Sequence, residues 1–119
     1  MSDYEFSLPF PPSQNTMWAT YKGRRIMSKK GREYRAKATG IMESLGLAGE
    51  LLEGQLSVSM TLHPPTMRKY DIDNFCKALF DALTHCGFWE DDSQIVRLLI
   101  EKGEKVQGGR VDLRINTLA

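Results

Sequence analysis

The stretch LSVSMTLHPPTMRKYDIDNFCK, residues 56–77, decides how this chain folds. Leu56, Val58, Met60 and Leu62 alternate with Ser57, Ser59, Thr61 and His63, the period of a strand with one apolar and one polar face. Pro64 and Pro65 end that strand, because proline has no N–H to give to a ladder. A basic loop, Thr66 to Tyr70, then delivers the chain to Asp71-Ile72-Asp73-Asn74. An apolar helical pattern follows, expected from about Asn74 to Cys86, with Phe75, Leu79, Ala82, Leu83 and Cys86 on its core face and Gly87 as its stop. An acidic segment mounted between a strand and a helix has a rigid base on both sides.

The flanking segments complete an α+β domain. Upstream, Tyr4, Phe6 and Leu8 alternate with polar residues as a half-buried strand, ended by Pro9, Pro11 and Pro12, so Phe10 to Asn15 is expected as a stiff, non-helical loop. Met17 to Tyr21 and Arg24 to Met27 flank Lys22-Gly23 and read as a hairpin whose Trp18 and Tyr21 could stack on unpaired bases. Ser28 is an N-cap for a long helix to about Leu45, with Tyr34, Ala38, Ile41, Met42 and Leu45 as its buried stripe and Gly46 as its stop. Leu47 to Gly54 is a connector. Downstream, Val96, Leu98 and Ile100 form one strand and Val111, Leu113 and Ile115 another, joined across Gly108 and Gly109. This order implies a small mixed sheet packed against two helices.

Bulk properties exclude several classes. At 119 residues there is room for a single domain, residues 1–119, with one core. No apolar run approaches the ~20 residues of a membrane span, and Met1 to Glu5 have no signal-peptide pattern, so the expected location is cytoplasmic. Cys76 and Cys86 fall about 15 Å apart along one helix, too far for a disulfide, and with only His63 and His85 they make no zinc pattern. Net charge is +1, but Lys22, Arg24, Arg25, Lys29, Lys30, Arg32, Arg35 and Lys37 cluster with a single acid, Glu33. That cluster is a local positive field suited to phosphates.

In an extended backbone Asp71 and Asp73 would point to the same side with Cα atoms roughly 6.6 Å apart, which is half a site for a hard cation such as Mg²⁺. Asp92 or Asp91, just beyond the helix, could supply a third carboxylate. The competing reading makes Asp73 or Asn74 a helix N-cap and Asp71 a solvated turn residue. Lys77 in the first helical turn gains nothing from the helix dipole and more plausibly answers to an anion, whereas an i, i+4 pair with Asp81 would contribute only ~0.3 kcal/mol.

These residues carry a resemblance. The run Asp71-Ile72-Asp73-Asn74 with Lys77, then Phe80-Asp81-Ala82-Leu83, then Gly87-Phe88-Trp89-Glu90-Asp91-Asp92, with the opening Leu8-Pro9-Phe10-Pro11-Pro12-Ser13, resembles the RusA family of Holliday junction resolvases. The resemblance spans nearly the whole chain, including the Gly108-Gly109-Arg110 turn. It implies a homodimeric, bacterial or prophage-borne endonuclease that nicks four-way DNA junctions with Mg²⁺, or Mn²⁺ in its place. It places the catalytic and metal-holding carboxylates on Asp71, Asp73 and Asp92 and the required lysine on Lys77, with Asp91, Asp81 and Asn74 in support. Contacts to branched DNA are expected from Asn15, Lys29, Lys30, Arg32, Arg68 and Lys69. In this sequence the basic run before the acids is short, Arg68 and Lys69 being followed by Tyr70. Rival readings are a non-catalytic DNA-binding protein whose acids are only caps, and a nuclease of flaps or forks.

Overall fold

The structure, a computed structural model, describes residues 2–118. Its main sheet has four strands: β1 (Tyr4–Leu8), β4 (Leu56–His63), β5 (Ile95–Lys102) and β6 (Arg110–Thr117), in the order β1-β6-β4-β5. β6 runs antiparallel to both β1 and β4, while β4 and β5 run parallel, so the sheet is mixed as expected. A second, two-stranded sheet is the hairpin of β2 (Trp18–Tyr21) and β3 (Arg24–Met27). The helices are α1 (Gln14–Met17), α2 (Lys29–Ser44) and α3 (Cys76–His85). The long helices α2 and α3 pack on each other, and none of the described helices is long and apolar enough to cross a membrane.

The strand alternation places the core where the pattern put it. Leu56, Val58, Met60 and Leu62 of β4 are buried, as are Val111, Leu113 and Ile115 of β6 and Phe6 and Leu8 of β1. Phe88 and Trp89, both fully buried, stack edge-on with Phe6 and Phe80, and Trp89 donates its indole N–H to Thr84 Oγ1 at 2.8 Å. The buried Tyr34 donates its hydroxyl to the Pro9 carbonyl at 2.8 Å, and burial pushes its ionisation up. Ser28 caps α2 by accepting from the Gly31 N–H.

Four expectations change. The loop after Pro12 turns helical at Gln14, the second residue free of proline, with Ser13 in the N-cap position. Leu45 is half exposed because it follows the last turn of α2. The third helix begins at Cys76 rather than Asn74, since the acidic segment is itself a turn. Val96 and Leu98 stay 53% and 42% exposed because β5 is an edge strand that the helices do not cover.

Candidate active site

Four elements converge on the acidic segment. Its backbone closes a turn in which the Asn74 N–H donates to the Asp71 carbonyl at 3.1 Å, so Asp71 and Asp73 share a tight turn and not the extended strand expected. The Asn74 carbonyl accepts from the Gln14 N–H at 2.8 Å, which fixes the turn to the start of α1. Beneath it, Phe10, Tyr70 and Phe75 pack with ring centroids 4.9 to 6.2 Å apart. Lys102, at the end of β5, donates to the Tyr70 carbonyl at 2.7 Å and lies 4.4 Å from the Tyr70 ring centre. The turn is therefore braced from below while its acidic side chains face outward.

Phe75 holds the N-cap position of α3 with no side-chain hydrogen bond, so neither Asp73 nor Asn74 caps the helix. The capping role falls to Asp91, which accepts from the Ser93 N–H at 2.9 Å and opens a 3₁₀ turn, Asp92–Gln94, with a complete capping box. Hydrogen bonding from Ser93, and more weakly the charge of Lys77, hold the Asp91 carboxyl below its ordinary range. Asp81 pairs with Arg35 through two bonds of 3.0 Å instead of with Lys77. Asp91 thus fixes the backbone of the 3₁₀ turn, and Asp81 ties α3 to α2.

The seven aspartates divide cleanly. Asp3, Asp81, Asp91 and Asp112 each accept side-chain or backbone hydrogen bonds. Among the described residues the carboxylates of Asp71, Asp73 and Asp92 have no such partner, nor does the ammonium of Lys77. Asp71 and Asn74 line a cleft of about 550 Å³ with Ser13, Lys69, Tyr70, Phe75 and Lys102. Asp73 lies close enough to Cys76 that, after burial, its charge is the next force pushing that thiol up.

The three free carboxylates do not form one group. Asp71 borders Lys102 at the C-terminal end of β5, whereas Asp92 precedes its first residue, and the seven steps from Ile95 to Lys102 span roughly 23 Å of strand. Lys77, in the first turn of α3, lies near enough to Asp91 for its charge to help hold that carboxyl low. Among the described residues no three His, Cys, Asp or Glu side chains are arranged to hold a metal ion. The donor chemistry nonetheless fits a hard divalent cation: all the candidate ligands are carboxylate oxygens, and that of Asp71 borders a cleft with room for water and phosphate.

Of the residues expected to meet DNA, Lys30, Arg68 and Lys69 line one groove of about 420 Å³ together with Phe10, Ser13 and Phe75, adjoining the acidic cleft through Lys69. Asn15 is exposed on α1, and Lys29 is exposed and loosely paired with Glu33 at 3.9 Å. Arg32 is diverted, its guanidinium donating to the Met27 carbonyl at 2.7 Å. Sequence reasoning missed Lys102, which no local pattern marks; only the parallel pairing of β5 with β4 carries it to the cleft.

An open turn of unpartnered aspartates, bordered by lysines and arginines from separate elements of an α+β domain, has the chemistry an enzyme needs to cleave phosphodiesters in nucleic acid. Comparison with known proteins agrees. A family model described as "Endodeoxyribonuclease RusA" matches residues 9–116. The chain is 37% identical over 118 residues to the crossover junction endodeoxyribonuclease of Enterobacteria phage HK97, covering 99% of this chain and 98% of the phage protein. It is 36% identical over 122 residues to the protein of the same name from Escherichia coli K12, and 37% identical to that of Enterobacteria phage 82, with the same coverage. The chain belongs to the RusA family of endodeoxyribonucleases.

Proposed function

We propose that this chain resolves Holliday junctions by paired, metal-dependent nicks, as a homodimer with Mg²⁺ or Mn²⁺, in the cytoplasm. One observation carries the reading: among the described residues the aspartates whose carboxylates have no partner are Asp71, Asp73 and Asp92, the same three that the family pattern assigns to chemistry, while the other four aspartates each accept a hydrogen bond. Against the reading that Asp73 or Asn74 is only a helix cap stands the N-cap position of α3, which Phe75 occupies.

Asp71, Asp73 and Asp92 would hold the ion, which when bound lowers the pKa of water and neutralises charge on the scissile phosphate. Lys77 presents a free ammonium to that phosphate, and Lys69 and Lys102 draw the backbone into the cleft. Asn74 contributes through its backbone, which locks the turn. A four-way junction is close to two-fold symmetric, so a two-fold dimer offers one site to each of two opposed strands.

The edge strand β5 is the seam we favour. Val96, Leu98 and Leu99 are 53%, 42% and 49% exposed on an unpaired edge, which is a strand-pairing template. Antiparallel pairing of two copies about an axis through Leu99 sets Arg97 opposite Glu101 and Leu98 opposite Ile100, a self-complementary arrangement of charge and apolar surface. The same pairing sets Lys102 opposite the partner's Val96. It thus carries the partner's Asp92 turn toward the end of β5 where Asp71 lies, offsetting the length of β5 that divides them within one chain.

The test is cleavage of a synthetic four-way junction, a flap and a linear duplex in Mg²⁺, with Ca²⁺ as the binding-only control. Asp73→Asn should abolish nicking and keep gel-shift binding. Retained cleavage by that variant removes Asp73 from the mechanism, and equal cleavage of flap and junction favours the flap reading.

A further inference from the structure

The hairpin β2–β3 is the most basic feature of the chain that the proposed mechanism does not use. Residues 6–32 contain no acid and six cations, of which Lys22, Arg24 and Arg25 lie in this ribbon. The base of the ribbon is clamped: the Ser28 N–H donates to the Met17 carbonyl at 2.8 Å, the Ser28 hydroxyl bonds the Thr16 carbonyl, and Trp18 and Met27 pack against the core. The pairing Trp18↔Met27, Ala19↔Ile26, Thr20↔Arg25, Tyr21↔Arg24 puts Ala19, Tyr21, Arg24 and Ile26 on the opposite face. That face is wholly exposed, with Tyr21 at 60%.

Two details mark the ribbon as a ligand surface. Lys22 has φ 51°, a left-handed conformation that Asn or Gly would adopt with less strain, so a cation is kept at the tip at a conformational cost. Arg25 lies 4.6 Å from the Trp18 ring centre, which holds its guanidinium ready across the strand pair. Neither Lys22, Arg24 nor Arg25 has a carboxylate partner among the described residues.

We infer that the β2–β3 ribbon grips the phosphate backbone of a duplex arm of the DNA substrate through Lys22, Arg24 and Arg25, independently of base sequence. A two-stranded ribbon fits a B-DNA groove. Four strand residues carry the tip roughly 13 Å beyond the start of α2, where Lys30 joins the groove of Arg68 and Lys69. At 3.4 Å per base pair the ribbon meets phosphates about four base pairs from those the groove holds. This inference rests on the chain acting on DNA, but its test does not need cleavage.

The test is the salt dependence of junction and linear-duplex binding in Ca²⁺, comparing the intact protein with Lys22→Asn/Arg24→Gln and, as a charge control on the main sheet, Arg114→Gln. Loss of two phosphate contacts lowers the slope of log K against log salt by about 1.8 and weakens binding by about 60-fold at 0.1 M salt, equally for both DNAs. The control should leave the slope unchanged. A double variant whose slope matches the intact protein overturns the ribbon's role even if the protein nicks junctions normally. A lowered slope in a protein that never nicks sustains the ribbon and defeats the proposed function instead.

Discussion

Mixing two inactive variants should restore activity if the seam lies along β5. In the antiparallel pairing about Leu99, each site draws Asp71 and Asp73 from one copy and Asp92 from the other. A heterodimer of Asp73→Asn and Asp92→Asn then concentrates both lesions in one site and leaves the second intact. Random assortment makes about half the dimers mixed, each with one working site of two, so nicking should recover to about a quarter of the normal level. Product identity is more telling than rate: mixed dimers cut one strand only, so a nicked junction accumulates where the intact enzyme gives resolved duplexes. The assay co-expresses the two variants, uses a junction labelled on each strand in turn, and reads a denaturing gel. Nicking no higher than that of either variant alone would refute a site shared across β5. So would a monomer in sedimentation at the concentrations used for cleavage.

Other tests address the supports of the site. Arg35→Ala should lower stability by about 1 to 2 kcal/mol, discounted because the Arg35–Asp81 pair is about one-third exposed, and lower the melting temperature by about 4 to 8 °C. Its nicking rate at room temperature should persist, and an Arg35→Ala/Asp81→Ala cycle should show coupling; additive losses would disconnect the pair. The Asp91 carboxyl is held low by Ser93, so its cap strengthens the fold above the unfolded pKa and is lost as pH falls through the lower folded value. The Ser93 amide shift should therefore titrate below about 3.9, and a midpoint at or above that value would deny the cap its role.

Period-two alternation in β4 and β6 was enough to place the core, since burial of one sheet face leaves that pattern in the residues themselves. The Ser28 cap and the stop at Gly46 were equally local, and both hold. Edge and centre are not local. Val96 and Leu98 read like Val111 and Leu113, yet β6 is flanked by two strands and β5 by one, a difference set by strand order. The candidate carboxylates could be nominated from their spacing, but the extended geometry assumed for Asp71 and Asp73 failed because a bond from Asn74 to Asp71 closes a turn. Lys102 and Arg35 were out of reach for the same reason as the sheet order: their partners, Tyr70 and Asp81, are 32 and 46 residues away.

The position of β6 also bears on how the chain is made. It pairs with β1 on one side and β4 on the other, yet it comes after both of them, and last of the described strands, in chain order. A nascent chain holds β1 without any partner, and β4 and β5 as a bare pair, until residues 110–117 emerge. Interrupted synthesis before that point therefore yields a polypeptide that cannot close its sheet, and a DNA-cutting activity is withheld until translation has passed it.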